Sequence, residues 1–453
     1  MKIIHKTTCF IAVLLLFCFS CAPVQAYSYP QTHVEAKAAV LMDMDTGKIL
    51  FGQNADERLY SASLTKIMTA MLALENAELT DVVTASENAV TYGLNIHGST
   101  INIKAGETMT LESLIYATLV ASANEACNII AEHVSGSISG FVELMNEKAA
   151  ALGCKNTHFT NAHGLHDEDH YSSASDIARI AYAAMQIPEF VKMCNTKSVT
   201  IPATNMSPER TLYTTNYLIS TEKVDGYFYK YASGIKTGFT TPAGHCLVST
   251  ADNGKLRLLG VIMGAGGIPQ QDGTEKVQSF VEIVKLFEWG FSHFSVQEAI
   301  SVTLPVAQVN VKFGANTNFV LLYPAEPFSM LLPTDFDKSL FVTKVNIYND
   351  GIIEAPVSRG DVLGDMDIYL DGAYCGNVKL LALTDVQRSN TEAAAHGIKG
   401  FFRKPWVRTV LILIPIFLVL YIAYMIFYNA MRRRAIAAGK YRGDYRSRRR
   451  HRR

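Results

Sequence analysis

From Thr409 to Met431 the chain runs 23 residues without a charge. Leu, Ile, Val, Phe and Tyr dominate this run, and as a helix it reaches about 34 Å, enough to cross the hydrocarbon core of a bilayer. The first residues add a second constraint. Met1–Lys6 is short and basic, Cys9–Phe19 is apolar, and Val24-Gln25-Ala26 precedes Tyr27. That order reads as a secretory signal over 1–26, cleaved after Ala26. A lipoprotein reading through Cys21 is disfavoured, because Cys18 stands where an aliphatic residue belongs. A chain exported from its N-terminus and stopped near its C-terminus folds largely outside the cytoplasm.

Charge sharpens this picture. Lys plus Arg and Asp plus Glu each number 41, yet eleven of the basic residues and a single acid, Asp444, fall between Arg432 and Arg453. The body is therefore acidic and the tail is a separate object. The positive-inside rule sets 407–431 as a single-pass helix in the cell membrane, with 432–453 as a basic cytoplasmic tail. For that tail, orientation or lipid-headgroup contact is favoured over nucleic acid, which is not an expected partner. Five cysteines follow the signal, an odd number with no Cys-x-x-Cys spacing. They read as scattered small hydrophobes rather than a redox or zinc motif.

Between the ends, the pattern changes twice. Ala38–Asp43 and Lys48–Gly52 read as strands joined at Asp45-Thr46-Gly47, and helical periodicity follows in Leu64–Leu72, Leu111–Val120, Glu125–Val134, Phe141–Leu152 and Ser175–Met185. Cys246–Thr250 and Leu256–Met263 flank Asn253-Gly254, a strong hairpin signal. Thr274–Phe294 then reads as a helix with Val277, Phe280, Val281, Val284, Phe287 and Phe291 on one face. Strands from both ends of this region with helices between them predict an α+β domain over 27–294, an antiparallel sheet flanked by helices. From 295 to 386, short alternating runs (Ser301–Leu304, Ala307–Val311, Phe319–Leu322, Leu340–Ile347, Val378–Ala382) predict a small all-β domain. Residues 387–406 read as a linker.

Three short motifs carry chemistry. Ser63-Leu64-Thr65-Lys66 opens a predicted helix with Ser61 as its expected N-cap, so Ser63 and Lys66 share a face at i, i+3. A serine hydroxyl needs a base, and a desolvated lysine amine can serve. Ser122-Ala123-Asn124 lies between predicted helices, and Lys236-Thr237-Gly238 follows an apparent strand that Lys236 ends. The first two motifs are weak alone, since Ser220–Lys223 and Ser86-Glu87-Asn88 match them as well. The ordered trio is far more specific. A serine, two lysines and a polar pair suit acyl transfer from an anionic peptide.

With these residues the sequence resembles the low-molecular-mass penicillin-binding proteins, serine D-alanyl-D-alanine carboxypeptidases of peptidase family S11. The likeness includes Ala62-Ser-Leu-Thr-Lys-Ile-Met-Thr69, Ser122-Ala-Asn-Glu-Ala126, Asn161-Ala-His-Gly-Leu165 and Gly234-Ile-Lys-Thr-Gly-Phe-Thr240. It spans roughly 27–294, and more loosely the β region after it. The resemblance implies a β-lactamase/transpeptidase-like fold and removal of the terminal D-Ala from peptidoglycan pentapeptide stems. It also implies covalent acylation by β-lactams, with no cofactor and no metal. It makes Ser63 the acylated nucleophile, Lys66 its base and Ser122 a proton relay. Asn124 is to hold the substrate amide, while Lys236 and Thr237 bind the terminal carboxylate. Gly238 belongs to the same motif, and the backbone N–H groups of Ser63 and Phe239 form the oxyanion hole.

Two features depart from the family pattern. Ser-Ala-Asn replaces Ser-Asp-Asn, and a spanning helix stands where the family usually has an amphipathic surface anchor. Three rival readings accompany the resemblance. His163, His166 and His170 with Asp167, Glu168 and Asp169 could ligate a metal, against a polar loop at the cleft rim. A class A-like β-lactamase and a non-turnover β-lactam sensor or wall-binding protein are the alternatives for function.

Overall fold

The computed structural model describes residues 30–94, 98–270 and 275–447, so the signal expected over 1–26 lies outside the described residues, as does the end of the tail. The chain divides into a first unit, Met1–Gln297 with Met330–Asp337, and a second, Glu298–Ser329 with Lys338–Arg453. Met330–Asp337 thus leaves the β region that the sequence suggested was continuous. The reason is apolar burial: Leu331 belongs to the cluster that holds Phe287 and Phe294.

The first unit is built on a five-stranded sheet drawn from both ends of its sequence. Its strands are β1 (Ala38–Asp43), β2 (Ile49–Gln53), β3 (Ala232–Thr240), β4 (Gly244–Asp252) and β5 (Arg257–Ala265), in the order β2-β1-β5-β4-β3. All neighbours are antiparallel. Successive side chains of a strand point to opposite faces, and β1 uses both. Ala38, Val40 and Met42 join one apolar cluster, whereas Ala39 and Leu41 join another on the opposite face. The β4–β5 turn follows the Asn-Gly signal, with Asn253 Oδ1 accepting from the N–H groups of Lys255 and Leu256, each at 2.9 Å.

Helices α1 (Lys66–Asn76), α2 (Leu111–Leu119), α3 (Asn124–Ser135), α4 (Ile138–Ala151) and α5 (Ala174–Ala184) supply the first cluster, and α6 (Gln278–His293) covers the other face. Thr110, Ser137 and Ser173 cap α2, α4 and α5 by accepting a backbone N–H three residues on. Periodicity gave α1 one apolar face, but every residue from Lys66 to Ala73 is buried. An all-round buried helix is the centre of a core rather than its wall. On α6 the buried face is Phe280, Ile283, Leu286, Phe287 and Gly290, rotated from the expected one. Glu282 lies on that buried face. Its carboxylate is buried, accepting Glu35 N–H at 3.1 Å and pairing with Lys285 at 2.7 Å.

The second unit holds a six-stranded sheet. Its strands, β6 (Ala307–Lys312), β7 (Phe319–Pro324), β8 (Phe341–Ile347), β9 (Ile353–Glu354), β10 (Val362–Leu370) and β11 (Ala373–Ala382), run in the order β8-β10-β11-β7-β6-β9. Val309, Val311, Val320, Leu322, Met366, Ile368, Val378 and Leu380 form its core. Ser301–Leu304, expected as a strand, lies in turn and irregular structure. The expected linker is largely helical, as α7 (Asn390–Arg403), with Ser389 accepting from Glu392 N–H at 3.3 Å. Ser389-Asn-Thr-Glu392 carries the Ser-x-x-Glu signature of a helix start, a signal that the Ala run obscured. Helix α8 (Pro405–Ser447) follows, and its segment Pro405–Ile436 is the one helix among the described residues long and apolar enough to cross a membrane.

Candidate active site

Ser63 sits in a 3₁₀ turn, Ala62–Thr65, and the α-helix proper begins at Lys66. The tighter turn suits the pair better than an α-helical one, because side chains three residues apart eclipse in a 3₁₀ helix. Lys66 Nζ donates to Ser63 Oγ at 2.9 Å. Ser61 is not the expected cap. Its backbone is already right-handed helical, and its hydroxyl meets Thr65 Oγ1 at 2.9 Å instead. Ala62 adopts a left-handed φ of 45°, and so does Ser122 at 62°. Such backbone is costly for a residue with a Cβ, and it persists where the surroundings over-determine it.

Those surroundings include two close approaches. A Cβ on Gly238 would stand 3.0 Å from the Ser63 amide nitrogen, so any other residue there would need the serine turn to give way by a few tenths of an ångström. Gly164, with a φ of 84°, abuts the Ala62 carbonyl so tightly that any side chain would overlap it. The loop carrying Gly164 is tied to α1 by Thr69 Oγ1, which donates to Ala162 O at 2.6 Å.

Lys66 is fully buried, and its amine has two further acceptors: Asn124 Oδ1 at 2.8 Å and His163 O at 2.6 Å. An ammonium has three donors, and all three are used. Burial pulls its pKa down to about 8, opposed by the negative charge of nearby Glu125. A neutral amine has two N–H groups and one lone pair. With the two fixed acceptors taking the N–H groups, the lone pair is left for the Ser63 hydroxyl.

Ser63, Ser122, Asn124, Thr237, Gly238 and Phe239 all line one cleft of about 620 Å³. Lys66 and Lys236 do not line it but are buried beside it. Lys236 lies in the middle of β3 rather than at a strand end, since Lys-Thr-Gly-Phe-Thr stays paired with β4 as far as Thr240↔Gly244. Burial, then the positive charge of Lys66, hold its pKa well below the usual lysine range. Its amine donates to Thr237 O at 3.1 Å. Thr237 Oγ1 lies 2.6 Å from Thr215 Oγ1, a cleft residue that the sequence reading missed.

The histidines part company. His170 is buried, its Nδ1 accepts Thr160 N–H at 3.1 Å, and its Nε2 therefore donates to Thr65 Oγ1 at 2.8 Å. Burial pushes its pKa down to about 4, and that of buried His163 to about 3. His166 packs edge-on to Tyr60, with ring centroids 4.5 Å apart, and faces the cleft. Among the described residues no group of three His, Cys, Asp or Glu side chains is placed to hold a metal.

A family model described as D-alanyl-D-alanine carboxypeptidase matches residues 24–267, and one for the C-terminal domain of penicillin-binding protein 5 matches 295–388. The chain is 34% identical to D-alanyl-D-alanine carboxypeptidase DacF of Bacillus subtilis over 360 residues, covering 78% of this chain and 87% of that one. It is 31% identical to DacC of Escherichia coli over 403 residues, covering 86% and 92%. The crystal structure of penicillin binding protein 5 from Haemophilus influenzae superposes with a TM-score of 0.56 at 30% identity, covering 80% of this chain and all of that one. The chain belongs to the D-alanyl-D-alanine carboxypeptidase family of serine peptidases, S11.

Proposed function

We propose that this chain is a serine carboxypeptidase that removes the terminal D-Ala from peptidoglycan pentapeptide stems through an acyl-enzyme on Ser63. The observation that carries the reading is the Lys66 amine held between Asn124 Oδ1 and His163 O with Ser63 Oγ as its third neighbour. In its neutral form Lys66 takes the Ser63 proton as Oγ attacks the carbonyl of the penultimate D-Ala. The C–N bond breaks, and the leaving amine receives a proton by way of Lys66 and Ser122. Water then hydrolyses the ester, with Lys66 again as base. Lys236 and Thr237 bind the terminal carboxylate, and Asn124 offers its Nδ2 group to the substrate amide. The N–H groups of Ser63 and Phe239 receive the oxyanion, where one such donor is typically worth about 10²–10³ in rate.

β-Lactams present a strained amide to the same serine and acylate it. The matched C-terminal β domain weighs against a free β-lactamase. Residues 27–294 form the peptidase domain on this reading, 295–386 the small β domain, 387–406 a connector and 407–431 the membrane helix. The basic tail from Arg432 is cytoplasmic and the catalytic domain extracytoplasmic. Protease added to intact spheroplasts is expected to cut the ectodomain and spare a tail epitope; loss of both overturns this topology. For the chemistry, the full-length protein in detergent is mixed with a pentapeptide stem and the products are weighed. Tetrapeptide plus free D-Ala from the wild type, and neither from Ser63→Ala, is expected. Equal yield from the two sinks the assignment.

A further inference from the structure

The cleft that holds the proposed carboxylate site is also lined by two aromatic rings, Tyr217 and Phe239. Thr215 and Tyr217, in the bend and turn that follow Tyr213, both line the cleft, and Tyr217 packs on Phe280 with centroids 5.5 Å apart. On β3, Phe239 stands two residues beyond Thr237, on the same side of the strand. It is 57% exposed and rests on the His245 ring at 4.5 Å. The side chain of D-Ala is a single methyl group, the smallest apolar surface that a residue held by its carboxylate at Lys236 and Thr237 could lay on these rings. The cleft, about 620 Å³, leaves room for more. An exposed aromatic ring beside a binding point gains from any apolar surface laid on it, about 25 cal/mol for each Å² removed from water.

We propose that the cleft accepts stems whose terminal residue is a bulky apolar D-amino acid, such as D-leucine or D-methionine, with Tyr217 and Phe239 as the rings that receive its side chain. The proposal rests on the carboxypeptidase reading above. The reaction is unchanged in its balance. Ser63 Oγ bonds to the penultimate D-Ala carbonyl carbon, the C–N bond to the bulky residue breaks, and that residue leaves as a free amino acid carrying the proton from Ser63. Water then releases the same tetrapeptide.

The test uses full-length protein in detergent and acylated L-Lys-D-Ala-D-Xaa peptides, with Xaa as D-Ala or D-Leu. The D-Leu peptide is expected to be hydrolysed with kcat/KM at least one-tenth of that of the D-Ala peptide; a lower ratio overturns the proposal. A second readout does not require turnover. Each peptide is used to slow labelling of Ser63 by a fluorescent penicillin. Protection by the D-Leu peptide at concentrations no more than tenfold above those of the D-Ala peptide supports the subsite, and weaker protection overturns it. If neither peptide is hydrolysed, the carboxypeptidase reading fails, and protection alone decides the subsite. Tyr217→Ala and Phe239→Ala should each lower the D-Leu to D-Ala ratio roughly tenfold, the scale of a lost apolar contact in a specificity pocket. A ratio unmoved in both variants removes these rings from the assignment.

Discussion

Glu125 holds Thr100 across 25 residues of sequence: the Thr100 hydroxyl donates to Glu125 Oε1 at 2.6 Å, and the Ile101 and Ile103 N–H groups reach the same oxygen at 2.8 and 3.4 Å. The preceding residue, Asn124, donates its N–H to Ser99 O at 2.9 Å. The carboxylate and that amide together tie residues 99–103 at the lip of the cleft to the start of α3, where Asn124 meets Lys66. Glu125→Ala strands three donors and should destabilise the protein by about 2–5 kcal/mol. Glu125→Gln keeps an oxygen for the same donors and should cost less than half as much. Thermal unfolding with penicillin-acylation kinetics checks both; equal losses would show that the acceptor geometry is irrelevant.

Acylation of Ser63 should depend on pH through Lys66. The reactive form is the neutral amine, and burial lowers its pKa to about 8. The second-order rate constant for penicillin should therefore rise about tenfold per unit below pH 8 and level off above it. Stopped-flow acylation between pH 6 and 9.5 reads this directly. A flat profile excludes Lys66 as the base.

His170 makes a separate prediction, for stability. Its pKa falls from 6.5 to about 4 on folding, chiefly by burial, with His158, Lys66 and His166 acting in the same direction and Asp167 against. Between those values the unfolded chain binds the proton and the folded one does not, so stability rises with pH. The contribution is whole above about 6.5 and is lost as pH falls to 4, about 3 kcal/mol in all. His163, lowered to about 3, adds in the same sense. His170→Phe should flatten urea-unfolding stability against pH in that window. An unaltered slope assigns the dependence elsewhere.

Lys236 tests the carboxylate role. Removing one partner of a desolvated charged pair typically costs about 2–5 kcal/mol, roughly 30- to several-thousand-fold. Lys236→Ala should depress turnover of the free-acid peptide by that factor, and amidating the peptide should do the same to the wild type. The two losses should not add, because each deletes the same contact. Equal cleavage of free-acid and amidated peptides by the wild type favours an endopeptidase.

Much of this protein is determined locally, and that part is legible in its residues. The apolar strand run of Ala38–Asp43, the Asn253-Gly254 turn and the uncharged run from Thr409 to Met431 each act over a few neighbours. So does the i, i+3 spacing that brings Ser63 beneath Lys66. The tertiary structure decided what depends on distant partners. Asn124 and His163 lie 58 and 97 residues from Lys66, and the second contact is a backbone carbonyl, which no residue type announces. Thr215 reaches Thr237, and Glu125 reaches Thr100, through packing that no local pattern encodes. The same holds for burial. A periodic pattern shows that α1 has an apolar face, but only the assembled sheet and helices enclose the helix on every side, and that enclosure lowers the pKa of Lys66.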